Sequence, residues 1–196
     1  MAAEHKGLPL HAFATKAAWI AWLREHHADV DGVWIKFAKK GTGIASITYV
    51  QAREGAIMYG WIDGLKNGFD ETWYLLRFTP RRARSKWSMI NREIAEDLIA
   101  RKKMRTAGRA EVDAAKADGR WEAAYDPPSK IQPHPELLAA LRASPKAAAF
   151  FETISKTNRY AILHQVHDAK RDATRARRIA KFVAMLERKE VPHSGR

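Results

Sequence analysis

The chain has 196 residues, 46% hydrophobic and 29% charged, with 11 glycines and 8 prolines, the mixture of a folded protein of one domain or of one domain and a smaller companion. It contains no cysteine, which excludes disulfides, thiolate zinc sites, iron–sulfur clusters and cysteine nucleophiles, and no stretch approaches the roughly 20 apolar residues of a membrane helix. Lysine and arginine total 35 against 22 acidic residues, a net charge of +13; residues 1–70 carry 8 basic and 7 acidic groups, leaving 27 against 15 for residues 71–196. So basic a second half points to an anionic partner or to a set of solvated helix faces. The opening MAAEHKGLPLHAF has no apolar signal-peptide core, which together with the lack of cysteine predicts a cytoplasmic setting.

Residues 1–14 read as a loose lead. Thr15 is a helix N-cap, and Trp19, Trp22, Leu23 and His26 follow at helical spacing, predicting a helix over 16–27. From Gly32, Val33, Ile35 and Phe37 alternate with Trp34, Lys36 and Ala38, a strand. GTG at 41–43 is a flexible turn, and Thr48 caps a second helix over 49–59. Asn67-Gly68 is a strong hairpin signal; it would set Lys66 opposite Phe69 and Asp63 opposite Thr72, while Gly64 and the acidic pair Asp70-Glu71 allow a longer loop. Tyr74, Leu76 and Phe78 then share the core face, and Pro80 ends the strand. Ser88 caps a helix through Ile90, Ile94 and Leu98, and another spans 106–118, stopped at Gly119.

All seven tryptophans lie at or before Trp121, so the large aromatic core belongs to this part. DPPSKIQPHPE at 126–136 holds four of the eight prolines and reads as a stiff linker. Beyond it, Leu137 to Leu141, the Ser144-Pro145 start before Phe150 and Phe151, Tyr160 to Val166, and Ile179 to Leu186 mark four helices. The expected fold is α+β: a small antiparallel sheet of about three strands with packed helices, followed by an all-helical C-terminal extension. The domains would be 1–126, a linker at 127–136, and a helical region 137–196 docked on the first, because sixty residues of short helices are marginal alone.

WIDG at 61–64, RFTPRRARSKWS at 77–88 with Asn91, SPKAAAFFETIS, NRYAIL and TRARRIAKFVAMLE together resemble the YdeI/OmpD-associated, or bacteriocin-protection, family, from about Phe13 to Glu190. The resemblance implies a bacterial cytoplasmic protein linked to tolerance of bacteriocins or other stress. It implies no established reaction, cofactor or ligand.

The leading candidate site is Trp61, Asp63, Arg77, Arg81, Arg82, Ser85, Trp87, Ser88 and Asn91. A helix N-terminus, bidentate guanidinium groups and a tryptophan face suit a phosphate, a carboxylate or a nucleotide. The same residues equally suit a brace in which an arginine from 77–84 pairs with Asp63. Asp63 lacks the second titratable group that general acid–base work needs, so no catalytic residue is assigned. Gly7, Gly41 and Gly43 make no phosphate loop, because no Lys-Ser/Thr ending follows. His164 and His167 stand i, i+3 on a helix without a carboxylate cluster, so no metal and no cofactor is expected. Arg175, Arg177, Arg178 and Lys181 form a basic helix face, a candidate surface for nucleic acid or other anions. The expected function is binding, of a small anion or a protein; an enzyme using the Asp63 cleft and a nucleic-acid binder are the alternatives.

Overall fold

Thr15, Thr48 and Ser88 each accept a hydrogen bond from the backbone N–H three residues on, those of Ala18, Gln51 and Asn91. Each thereby satisfies a donor that the first helical turn leaves open, and each starts a helix. The computed structural model describes residues 3–193. It divides into two compact units, one ending at Ala124 and one beginning at Tyr125.

The first unit runs β1 (Glu4–His5), β2 (Leu8–Ala12), α1 (Lys16–His26), β3 (Val33–Ala38), α2 (Tyr49–Met58), β4 (Trp61–Gly68), β5 (Trp73–Pro80), α3 (Met89–Ala100) and α4 (Thr106–Ala117). The strands form one sheet in the order β1-β2-β3-β5-β4, with only β2 and β3 parallel. Val33, Ile35 and Phe37 lie opposite Phe78, Leu76 and Tyr74. The core they build takes Trp19 and Leu23 from α1, Ala52 and Ala56 from α2, Ala95 and Leu98 from α3, and Val112 and Ala115 from α4. The other face carries Trp34 and Leu75, both buried. The His5 ring meets Trp34 edge-on there, with centroids 4.9 Å apart.

The sheet has five strands where about three were expected. The extra two come from the supposed lead: Lys6 and Gly7, with φ of 49° and 74°, turn the chain so that His5 faces Leu8, and Leu10–Ala12 then pair with Trp34–Lys36. The hairpin register also differs. Gly68 faces Tyr74 and Asp63 faces Phe78, with a bulge between Asp63 and Lys66. The turn is centred on Asp70, whose Oδ1 accepts from Thr72 N, Thr72 Oγ1 and Trp73 N at 2.8, 2.8 and 2.7 Å. One carboxylate capturing three donors outweighs the local preference of Asn67-Gly68.

The second unit comprises α5 (Pro135–Ala143), α6 (Pro145–Thr153), α7 (Lys156–His167) and α8 (Asp172–Glu187), closed around Leu137, Phe151, Ile162, Val166, Phe182 and Leu186. The proline-rich stretch belongs to this unit instead of standing free. Pro127 is buried, Ile131 packs on the helical core, and Gln132 O lies 2.7 Å from His167 Nε2. α5 begins at Pro135 with His134 as its cap.

Candidate functional site

The expected site residues separate into three places. Asp63 lies opposite Phe78 and therefore on the helix-covered face, where it accepts a 2.9 Å hydrogen bond from Tyr49 Oη of α2. Arg77 lies opposite Trp34, on the other face. Side chains alternate across a strand, so residues 63 and 77 cannot meet through the sheet. Among the described residues, Asp63 pairs with none of Arg77, Arg81, Arg82 and Arg84; the expected brace is replaced by the tyrosine. Burial and the Asp63 carboxylate push the Tyr49 hydroxyl up to about 12, with Arg53 opposing. Trp61 is a core residue whose Nε1 donates to His27 O at 3.1 Å.

The remaining residues gather where the chain leaves β5 and enters α3. Arg81 N donates to Gly60 O at 3.0 Å, and its guanidinium lies 3.6 Å from the centre of the Trp87 ring while donating to Lys86 O at 3.2 Å. Arg81 is only 6% exposed. Ser85 Oγ accepts from Arg82 N, and Ser85 O accepts from Arg120 at 2.9 Å. Trp87 packs edge-on against Trp121, and Asn91 is buried beside its Ser88 cap. Arg81 and Arg120 face Glu111: burial raises its carboxyl above the usual carboxylate range, and the two guanidinium charges oppose that rise. Arg82 and Arg84 stay exposed at the surface of this knot.

An open cleft lies elsewhere, between the loop after β3 and the start of α2. It encloses about 520 Å³ and is lined by Phe37, residues 38–44, Ser46, Ile47, Thr48, Tyr49 and Tyr74. The loop is anchored by Lys39 N to Thr72 O at 2.8 Å and by Ile47 N to Phe13 O at 2.8 Å. Gly41 and Gly43 take φ of 90° and 70°, and a Cβ at either would meet no heavy atom within 4 Å, so a ligand can come close to their backbone. Lys39 and Lys40 are exposed and form no ion pair among the described residues. Tyr74 stacks on Phe37 at 5.3 Å, and Lys66 Nζ sits 4.5 Å from its ring centre. The cleft thus combines two uncompensated ammonium groups, a helix N-terminus and aromatic walls, a chemistry for anions. In sequence the glycine pair lacks the Lys-Ser/Thr ending of a phosphate loop. The available signal was the Lys39-Lys40 pair ahead of it and the Thr48 cap behind it.

In the second unit Arg175 is held by Glu136 at 2.9 Å and Asp172 at 2.6 Å, and Arg178 by Asp168 at 3.8 Å. Arg177 and Lys181 are exposed. His164 packs against Tyr125 and Tyr160, and His167 against His134.

Residues 11–111, more than half of the chain, match the domain of unknown function DUF8412. The chain belongs to that family. Residues 131–189 match the family described as bacteriocin-protection, YdeI or OmpD-associated. That family's match is confined to the C-terminal part, whereas the resemblance had been expected from Phe13 onward. No curated protein matches the chain, and no solved structure matches it.

Proposed function

We propose that this protein serves bacteriocin protection in the cytoplasm by binding a small anionic ligand in the cleft of Lys39, Lys40, Tyr49 and Tyr74. The C-terminal family match supports the bacteriocin-protection role. The observation that carries the binding site is the pairing of an open space of about 520 Å³ with two lysines that no carboxylate neutralises among the described residues. The glycine loop leaves backbone within ligand reach, and the N-terminus of α2 contributes partial positive charge at the same wall. The Arg81–Trp87 knot acts as the brace that fixes the sheet to α3 and so holds β5, which carries Tyr74.

The test is a thermal-shift screen of phosphates, nucleotides and carboxylates on the wild type, on Lys39→Ala/Lys40→Ala and on Arg81→Ala. A ligand that binds only the folded state raises stability as RT ln(1 + [L]/Kd). The expected result is a wild-type shift that disappears in the double variant and survives in Arg81→Ala from a lower starting temperature. No shift with any compound, or equal shifts in wild type and double variant, overturns the reading.

A further inference from the structure

We propose that the pocket between α5, α6 and α7 binds a monocarboxylic acid with an apolar tail, its carboxylate held by Arg142 and Arg159. α5 and α6 meet at Ser144, which ends the first helix and caps the second. On α5, Leu138, Leu141 and Arg142 share one side, because positions three and four apart on a helix are neighbours. Ala148, Phe151 and Glu152 do the same on α6. The alanines at 148 and 149 fill little of the space between the helices, and a cavity of about 400 Å³ remains, with Arg159 of α7 completing its wall. Pockets that take small organic ligands begin near roughly 300 Å³.

The apolar part of the site comes from Leu141 and Phe151, both buried, and from Leu138, which is 38% exposed. A tail lying on Leu138 would take that surface out of water. The polar part is cationic. Arg142 is exposed and makes no hydrogen bond or ion pair among the described residues. Arg159 is half committed: its Nη2 donates to Phe151 O at 3.0 Å, to Glu152 O at 3.2 Å and to Glu152 Oε2 at 3.0 Å, which ties down the end of α6. Its Nε and Nη1 carry no hydrogen bond among the described residues, and the guanidinium lies 4.8 Å from the centre of the Phe151 ring, at the apolar wall itself. Two guanidinium groups thus line the pocket with one carboxylate, Glu152, which is already paired with Arg159 and 72% exposed. The surplus is one positive charge. A monoanion balances it, a phosphate ester exceeds it, and an anion without a tail leaves the leucine and phenylalanine wall uncovered. A carboxylate also matches the planar guanidinium fork, accepting two bonds at once.

The test is an amide NMR titration of the full-length protein with sodium acetate, butyrate, hexanoate and octanoate, and with 1-hexanol as the uncharged match for hexanoate. The expected result is saturable shifts at residues 138–159, with affinity rising about fourfold per added methylene until the tail fills the pocket. Hexanoate should bind on the order of tenfold or more tightly than 1-hexanol, the gain from charge-assisted hydrogen bonds. Arg142→Met, which keeps the apolar stem, should remove most of that difference and leave 1-hexanol binding unchanged. Ala149→Leu fills the cavity from an exposed position and should abolish the dependence on tail length without disturbing the core. Lys39→Ala/Lys40→Ala should alter neither result, and shifts at residues 39–49 report the first unit's cleft separately, so each site fails on its own. No saturable shift at residues 138–159, an affinity independent of tail length, equal binding of hexanoate and 1-hexanol, or wild-type hexanoate affinity in Arg142→Met overturns the proposal.

Discussion

Tyr49 and Asp63 show how a single contact redirects a site. The aspartate was expected to brace an arginine, yet a phenol from α2 reaches it first at 2.9 Å. Asp63→Asn keeps an acceptor for that hydroxyl and so should change stability by less than about 1 kcal/mol, since one charged hydrogen bond gives way to a neutral one. It should, however, remove the carboxylate charge that helps hold the Tyr49 hydroxyl near about 12, so that an ultraviolet difference titration finds this tyrosine ionising at lower pH. The sign for stability follows: a phenol whose folded value is raised supports the fold fully below the unfolded value of about 10 and loses that support as pH climbs through the folded one. An unchanged titration in Asp63→Asn would mean that burial alone sets the shift. Arg81 presents the opposite case. Its ring stacking at 3.6 Å and its bond to Lys86 O are both internal, so Arg81→Ala should cost roughly 2–3 kcal/mol in denaturant unfolding. A loss within experimental error would deny it the role of a brace.

At the scale of elements, caps and periodicity carried most of the information. Thr15, Thr48, Ser88 and Ser144-Pro145 each announce a helix start, and each helix begins there. Alternation along 33–38 and 74–78 likewise gave β3 and the core face of β5. What failed depended on partners distant in sequence. In residues 8–12 the short alternation of Leu8, Leu10 and Ala12 is masked by Pro9, and Leu10–Ala12 pair along the parallel edge that β3 offers them. The Asp70 turn won over Asn67-Gly68 through three hydrogen bonds that no dipeptide preference encodes. The cleft shared that fate: Lys39, Tyr49 and Tyr74 come from a loop, a helix and a strand, and their meeting is a property of the sheet order. Gly108 is a further contact of this kind. Read as an ordinary helix glycine it would favour replacement by alanine, worth up to about 1 kcal/mol in helix propensity. In α4 its missing side chain lets the helix lie on the end of α2, where a Cβ would stand 2.7 Å from Ile57 O and also strike Met58 O and Met104 Sδ. Gly108→Ala should therefore destabilise by about 1–2 kcal/mol net, overpacking outweighing propensity. A raised melting temperature would show that the two helices can separate at no cost.

Over the whole molecule, net charge and usable charge are different quantities. The chain carries +13, and its second half holds nearly all the excess. Yet the arginines that would have formed the strongest basic face are turned inward on acids of their own unit: Arg175 on Glu136 and Asp172, and Arg178 on Asp168. Two of the four cations once assigned to that face, Arg177 and Lys181, remain exposed on α8. Each phosphate that a protein neutralises steepens the fall of log K with log salt by about 0.9 for duplex DNA. For binding through α8 alone, its two available cations therefore predict a slope near −2 and an affinity loss of about tenfold between roughly 50 and 200 mM salt, against the thousandfold or more of a protein making six to ten phosphate contacts. Arg177→Ala/Lys181→Ala should flatten that slope, whereas Arg175→Ala should leave it unchanged and instead lower stability by breaking the links to Glu136 and Asp172. The measurement is a fluorescence-anisotropy titration of a labelled duplex across that salt range with wild type and both variants. A wild-type slope of about −5 or steeper would mean that cations beyond Arg177 and Lys181 join the contact, the paired arginines of α8 or exposed ones such as Arg82 and Arg84, and the basic half would then be a nucleic-acid surface after all.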